Sequence, residues 1–439
     1  MSIILNKDQQ KALVSINGWW LGSSMFMALS GRGGTGKSFL VDHAVSGLHK
    51  VVPIFLAPTH EALGQLRDKV KDNHKYVFKT VHSALGITPT TNSSDLEFIH
   101  SKLPSLWEEV NLAVIDESSM LPDWIVDILE SIGVKILYVG HSSQLPPVTK
   151  SKAIDDPCVS PVFDRNYPLV ELTIPQRHTG DIWDFNTHVE KMIYDSSLEL
   201  PRTYNISSKE LRNQRKKNRE FFLEDQLKIA MWSNQGVDRY NQAIRVSIFG
   251  EKARSNKYLA GDKILLTSPL TVIENLESLT DKDMVSLAKK DDTVKLYSNS
   301  KATVLNCSTV LVRPCYSIKV LCNKIHVRAI DGEEYYFYEI QDIEDKRKLA
   351  DYYEHLVWKL KTQPAKAKAC RKRYAILSCF ADVKHFYAAT SHRLQGSNVP
   401  QVTVIYGDIM ANRCIVERQK CLYVACSRVI DKLSIFKGV

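Results

Sequence analysis

Residues 29–41, read as LSGRGGTGKSFLV, constrain the fold more than any other stretch of the chain. They carry the spacing G-x-x-x-x-G-K-S through Gly31, Gly36, Lys37 and Ser38. An apolar run, Met25 to Leu29, leads in, and a helical pattern of Phe39, Leu40, Ala44, Val45 and Leu48 leads out. Strand, glycine-rich turn and helix, in that order, make a phosphate cradle. Across Gly31, Gly33, Gly34, Thr35 and Gly36 the backbone N–H groups turn toward phosphate oxygens, and the following helix N-terminus adds partial positive charge. Lys37 then reaches the β- and γ-phosphates and Ser38 places its hydroxyl on Mg²⁺. The expected ligand is a nucleoside triphosphate with Mg²⁺.

The same architecture continues downstream. "VVPIFLAP" (51–58), "NLAVIDE" (111–117) and "GVKILYVG" (133–140) are short apolar runs separated by helical patterns, as strands buried on both faces read. "PLVELTI" (168–174), "QLKIAMW" (226–232) and "VTVIYGDI" (402–409) repeat the pattern. Between the last two, residues 255–370 change texture to "GDKILLT", "ATVLNCSTVLV" and "IHVRAIDGEEYYFYEI", in which Asp331-Gly332 marks a hairpin. The expected fold is α/β with a parallel sheet, followed by a second α/β domain that carries an inserted antiparallel β unit and a helical arm at 341–362.

Composition narrows the class. At 439 residues the chain exceeds a single core, and 44% apolar with 24% charged residues is an ordinary globular balance. No apolar run approaches the ~20 residues that span a bilayer, so a cytoplasmic protein without a membrane partner is expected. Nine cysteines form no C-x-x-C pair and read as reduced, small apolar residues. The formal charge of +9 favours a polyanionic partner. Two basic runs stand out, 209–220 and 359–374; a solvated face fits the first, and the second borders the β unit where a nucleic-acid track is a further option.

Two more segments complete a nucleotide site. Asp116 and Glu117 end the apolar strand of "NLAVIDESSM", at the sheet edge where ligands of such folds bind. Asp116 is suited to hold Mg²⁺ and Glu117 to deprotonate an attacking water, which points to hydrolysis rather than group transfer. In "YVGHSSQLPPV" the amide of Gln144, pinned by Pro146 and Pro147, can bond both a γ-phosphate oxygen and water, which is a sensor's chemistry.

From Leu5 to Arg428 the order of motifs resembles that of superfamily 1 helicases, and closely the RecD/Dda branch found in phages. The resemblance implies two RecA-like P-loop NTPase domains, at 1–165 and at 166–254 plus 371–439. It also implies an SH3-like β insert at 255–370 and a β-hairpin pin at about 86–104. It makes Gln9 of "LNKDQQKAL" the adenine-reading glutamine, and Arg177 ("ELTIPQRH") and Arg428 ("LYVACSR") the arginine fingers of the second domain. It assigns contacts with a single strand to Pro58, Thr59 and His60 ("APTHEA"), Thr80 and His82 ("TVHSAL") and Trp232 and Asn234 ("AMWSNQG"). Thr390, Ser391, His392, Arg393 and Ser397 ("ATSHRLQGSNV") join them.

Hydroxyls bond phosphates, the histidines and Arg393 add rings and charge, and Trp232 offers a stacking face, although a core aromatic is as good a reading of Trp232. Phe98 falls where the family carries its duplex-splitting pin; the plainer reading buries it under its own hairpin. The implied activity is an ATP-driven, monomeric DNA helicase on single-stranded and forked DNA, moving 5′→3′, working in phage replication or recombination beside proteins such as a single-strand-binding protein. For a phage chain the compartment is the bacterial host cytoplasm.

The sequence departs from that pattern in three places, one of them Arg393 where Lys is common. The sensor segment reads Gly140-His141-Ser142-Ser143-Gln144 where the family has Asp after the glycine, and the β insert has "YSNSKA" where Asn-Gly is common. A P-loop kinase needs an acceptor pocket and has no use for Gln144 or "TSHRLQG", and a nucleotide-gated binding protein without catalysis has no use for Glu117 and two arginines.

Overall fold

The computed structural model describes residues 5–70, 73–89, 98–100, 103–147, 159–176, 180–288, 290 and 293–438. Two compact units emerge: one of Met1–Thr88, Phe98–Tyr240 and Ala388–Val439, the other of Pro89–Glu97 and Asn241–Tyr387.

The first unit holds two parallel sheets. Strands β1 (Phe26–Gly31), β2 (Pro53–Ala57), β3 (Val77–Thr80), β4 (Leu112–Ile115), β5 (Lys135–Gly140) and β6 (Leu169–Leu172) lie in the order β3-β2-β4-β5-β1-β6. Ala28 of β1 sits beside Tyr138 and Leu169, and all the pairings are parallel. Leu112, Ala113, Val114 and Ile115 are wholly buried, which is why these strands read as continuous apolar runs. Ile16, Trp19, Leu40 and Val45 cover one face with Met27, Leu29 and Val114; Ile125, Val126, Leu129 and Trp107 cover the other with Ala113 and Tyr138.

The second sheet has β7 (Leu227–Met231), β8 (Ala388–Thr390), β9 (Val399–Ile405) and β10 (Val429–Phe436) in the order β8-β7-β9-β10, again parallel. The helix Ile415–Ser427, buried from Gln419 through Ser427, packs against the helix Asp181–Tyr194. Two parallel sheets match the expected fold class.

The second unit is built on an antiparallel sheet of Glu334–Ile340, Ile318–Ala329, Lys301–Cys315, Lys263–Leu266 and Val383–His385, in that spatial order. The Asp331-Gly332 hairpin is present: Gly332, at φ +90°, donates its N–H to the Ala329 carbonyl (3.1 Å). In the "YSNSKA" turn Asn299 adopts φ +71°, so an asparagine supplies the left-handed residue that glycine would. Arg245 and Asp262, both buried, pair through two 2.9 Å bonds, and the Tyr387 hydroxyl donates to the same carboxylate (3.1 Å). Such a pair is costly to break once its charges are out of water. The helices Ile343–Trp358 and Gln363–Leu377 pack on this sheet through Leu349, Tyr353 and Ile376, against Val312, Val320 and Tyr338.

Candidate active site

The phosphate loop leaves β1 at Gly31 and enters the helix Lys37–Gly47 at Gly36. Gly36 has φ +85°, and a Cβ there would meet Gln9 Nε2 at 2.6 Å; at Gly31 it would meet Thr35 Oγ1 at 2.7 Å. Both positions therefore require glycine. A cavity of about 330 Å³ opens over this loop, with Lys37, Ser38, Asp116, Glu117, Gln144 and Arg428 among its walls. That volume suits a small-molecule ligand.

Lys37 Nζ donates to the carbonyls of Gly31 and Arg32, the latter at 3.0 Å. Burial pushes its ammonium down to about 8, against the pull of Glu117 and Asp116. Burial and the neighbouring Glu117 push the Asp116 carboxyl up. Glu117 sits just past β4 at φ +51°, a left-handed conformation that is strained for a glutamate. Its N–H donates to Asp116 Oδ1 (2.9 Å), and the other Asp116 oxygen takes no hydrogen bond among the described residues. A hydroxyl and a carboxylate, both hard oxygen donors, suit Mg²⁺, which takes most of its remaining ligands from phosphates and water.

The second sheet contributes the far wall. Arg428, buried and directly after the helix Ile415–Ser427, brings Nη1 to 3.9 Å from Glu117 Oε1. Gln395 Nε2 donates to Glu117 Oε2 (3.2 Å) and to Ser119 Oγ (3.3 Å), whose hydroxyl lies 3.4 Å from Gln144 Oε1. A line of hydrogen bonds thus runs from the sensor amide to the candidate base. Lys420 Nζ donates to the Ser142 carbonyl (2.6 Å), a second tie between the sheets. Gln395 escaped the sequence reading although it lies inside "TSHRLQG". Its neighbour Gly396 has φ +83°, and a Cβ added there would lie 3.3 Å from Ala62 Cβ, so closely does that turn pack on the first sheet.

The histidine in the sensor segment has a physical account. Ser143 N–H donates to His141 Nδ1 (3.2 Å), which leaves the ring proton on Nε2, facing Glu171 at 3.8 Å. The His141 ring beside it holds the Glu171 carboxyl below its ordinary range. Glu190 of the helix Asp181–Tyr194 accepts from Ser143 Oγ (2.7 Å), lies 3.5 Å from His141 Nδ1 and pairs with Arg32 of the phosphate loop. A carboxylate from another element thus sits beside the sensor segment. Arg32 also donates to Thr187 Oγ1 (2.7 Å) and stacks over Trp183.

Gln9 is buried and shares a capping box with Asn6; its Nε2 lies 3.5 Å from the Thr35 carbonyl. Arg177 lies outside the described residues, as does the side chain of Phe98, whose backbone forms the short strand Phe98–His100 beside Ile87–Pro89. Gln176 is described; it lines the cavity, and its N–H donates to the Gly34 carbonyl (2.7 Å).

The expected strand-contacting residues share a construction. Thr59, Thr80 and Thr390 each end a strand or its extension and cap a helix, accepting from Ala62 N (3.2 Å), Ser83 N (3.3 Å) and Arg393 N (3.3 Å). Each hydroxyl keeps its own proton to donate. Pro58 precedes the first of these caps and is half-buried. Ser391 and Ser397 are buried and donate inward, to the carbonyls of Met231 (3.4 Å) and Leu394 (2.6 Å).

Burial pushes His60 down to about 4 and His82 below its ordinary value, so both are neutral rings at pH 7 and bring no charge. His392 Nε2 lies 3.3 Å from Glu417. Burial lowers the Arg393 guanidinium against the pull of Glu61 and Asp238. Trp232 is half-exposed at the end of β7, and Asn234 is exposed as the first residue of its helix. Asp408 fixes that turn by accepting from the N–H groups of Trp232 (2.7 Å) and Ser233 (2.8 Å) and from the Ser233 hydroxyl.

A glycine-rich loop, a strand-end Asp-Glu pair and an arginine from a second parallel sheet define a P-loop nucleotide-binding α/β protein. Residues 4–179 match the family model of an AAA domain. The chain shares its fold with Pif1 helicases of solved structure. It covers 92% of a Bacteroides Pif1 helicase in complex with ADP-AlF3 and single-stranded DNA, with 99% of its own length, 18% identity and a TM-score of 0.53. Bacteroides Pif1 bound to single-stranded DNA, and a forked-DNA structure described as two coordinating Pif1 helicases, match at the same coverage and identity with TM-scores of 0.51. Protein R530 of Acanthamoeba polyphaga mimivirus, described as uncharacterized, is 25% identical over 90% of both chains.

Proposed function

We propose that the chain is an ATP-driven DNA helicase that moves along single-stranded DNA and unwinds duplex. One observation carries this reading most of the way: Arg428, from the second sheet, reaches the same cavity as Lys37, Asp116 and Glu117 of the first. A site split between two sheets couples occupancy by a γ-phosphate to their relative position.

Lys37 and the loop N–H groups bind the phosphates. Glu117 takes a proton from the attacking water, held beside Gln144. Arg428, with Arg177 as the family resemblance implies, offsets charge on the transferred phosphoryl group. Ser38 and Asp116 would hold Mg²⁺, which would supply charge neutralisation at the phosphates. Gln395 is placed to report the state of Gln144 to Glu117 through Ser119.

Along the edges of both sheets, the Thr59, Thr80 and Thr390 caps with Trp232 and Arg393 would grip the strand by phosphate and base faces, whatever its sequence. Phe98 would serve as the pin. The reading includes a monomer moving 5′→3′ in replication or recombination, in the cytoplasm and beside a single-strand-binding protein. Among the described residues no helix is long and apolar enough to cross a membrane.

The test is ATP hydrolysis with and without single-stranded DNA, wild type beside Lys37→Ala. Strong stimulation by DNA, abolished by the substitution, supports the motor; hydrolysis indifferent to DNA overturns it. Forks with a 5′ or a 3′ tail then fix the direction.

A further inference from the structure

The helical arm of the second unit carries a charge pattern that the nucleotide site does not use. Residues 355–377 contain seven lysines and arginines and no carboxylate. Two of the cations hold the arm together: Lys372 pairs with Asp281 (2.7 Å) and Arg373 with Glu354 (3.5 Å). Lys359, Lys361, Lys366 and Lys368, around the turn between the helices Ile343–Trp358 and Gln363–Leu377, have no ion pair among the described residues. Four ammonium groups so close together repel one another, a cost that a soluble surface ordinarily relieves by interspersing carboxylates.

Two large aromatics accompany them. Trp358, the last residue of the first helix, is 79% exposed, and Tyr374 of the second is 43% exposed. Tyr353, on the same helix as Trp358, is by contrast buried and donates to the Pro314 carbonyl (3.0 Å). The sequence therefore commits one aromatic to the core and leaves others in solvent beside unpaired cations.

We propose that this turn is a second contact for single-stranded nucleic acid, separate from the strand-gripping residues of the first unit. Phosphates answer the four lysines. The exposed rings select single strand over duplex, because base faces are open to stacking only where bases are unpaired. The inference rests on the nucleic-acid reading of the whole chain.

The experiment compares binding of the full chain to a short strand, (dT)8, to a long one, (dT)30, and to a 30-bp duplex. The variants are Lys359→Ser/Lys361→Ser/Lys366→Ser/Lys368→Ser combined, Trp358→Ala and Trp358→Phe. The expected result is unchanged affinity for (dT)8 and unchanged (dT)8-stimulated ATP hydrolysis in all of them. For (dT)30 the quadruple variant should lose affinity, and its slope of log K against log salt should flatten by about 3, since each neutralised phosphate of a single strand contributes about 0.7. Trp358→Ala should bind (dT)30 about tenfold more weakly, while Trp358→Phe stays close to wild type.

Wild-type affinity for (dT)30 in both the quadruple variant and Trp358→Ala, with stimulated hydrolysis intact, overturns the second contact and leaves the motor standing. Loss of duplex and single-strand binding alike in the quadruple variant, with no effect of Trp358→Ala, also overturns it. Hydrolysis by wild type that ignores DNA of any length is instead the failure of the motor itself.

Discussion

The two parallel sheets of the first unit each place a carboxylate just past a buried strand, Asp116 directly after it and Asp408 in the helical turn Tyr406–Met410, and use it in opposite ways. After β4, Asp116 accepts one N–H, from Glu117, and keeps an oxygen toward a cavity that holds Lys37 and Ser38. After β9, Asp408 uses both oxygens on the N–H groups of Trp232 and Ser233 and on the Ser233 hydroxyl. Position at the carboxyl edge is thus common to both. Chemistry requires acceptors left over after local structure has been satisfied, in surroundings that perturb the charge. Burial and Glu117 raise the Asp116 carboxyl, whereas Asp408 braces the turn that presents Trp232.

The largest effects should come from groups with that surplus. Glu117→Gln and Arg428→Ala should each lower DNA-stimulated kcat by about 10³, as removal of an arginine finger or a charge-stabilising group does elsewhere. Nucleotide affinity, read by a fluorescent ATP analogue, should change far less. Near-normal turnover in Arg428→Ala would show that the second sheet takes no part in chemistry.

The strand-end pair should separate activity from stability. Asp116→Asn should abolish hydrolysis with little change in melting temperature, because it removes a buried charge that costs desolvation. Asp408→Asn should destabilise the fold by about 1 kcal/mol, the cost of leaving part-buried N–H groups poorly paired, and weaken DNA binding through the Trp232 turn while basal hydrolysis persists. The reverse assignment of effects would break the comparison.

Much of this was legible in the chain. The glycines of the phosphate loop and the apolar strand before Asp116 follow local rules of φ and burial, and those rules are written residue by residue. The same rule applied to "VTVIYGD" points at Asp408, whose role was nevertheless missed because its partners, Trp232 and Ser233, lie about 175 residues away in sequence. Gln395, Glu190 and Lys420 were hidden for the same reason: each matters through a partner on another element. His60 and His82 are pushed further toward the neutral ring by burial, which no local pattern in the sequence shows.

Protonation of Lys37 gives a pH signature. Burial pushes its ammonium down to about 8, so charge is lost as pH rises through that value. Nucleotide affinity should be constant below pH 7 and fall above pH 8, approaching tenfold per pH unit if the charged form alone binds phosphate. Lys37→Arg, which keeps its proton, should remove that fall whatever its affinity. A wild-type profile flat to pH 10 would mean that the ammonium is held charged by its neighbours.

Gln395→Ala should cost about tenfold in kcat, since a positioning amide and not the base itself is lost. Its diagnostic is a weakened coupling: a Gln144→Ala change should add little on top, because Gln144 reaches Glu117 only through Ser119 and Gln395.

The smallest effect tests the edge of the site at Gln9. Its Oε1 accepts the Asn6 N–H (3.1 Å) in the capping box, while Nε2 approaches the Thr35 carbonyl at 3.5 Å, a long contact that contributes little. The amide therefore has a structural oxygen and a nitrogen available for a nucleobase. Gln9→Glu keeps the acceptor for Asn6 and removes the donor, whereas Gln9→Ala removes both. If the nitrogen reads the base, the two variants should raise KM for ATP by a similar factor of about three to ten, with kcat unchanged, because ground-state and transition-state binding are affected alike. If instead Gln9 serves only the helix Lys7–Leu21, Gln9→Glu should match wild type in KM, and Gln9→Ala should show a lower melting temperature. The comparison of the two oxygens at Asp116 and Asp408 then recurs within one amide, where the atom that local structure has not claimed is the one that meets the ligand.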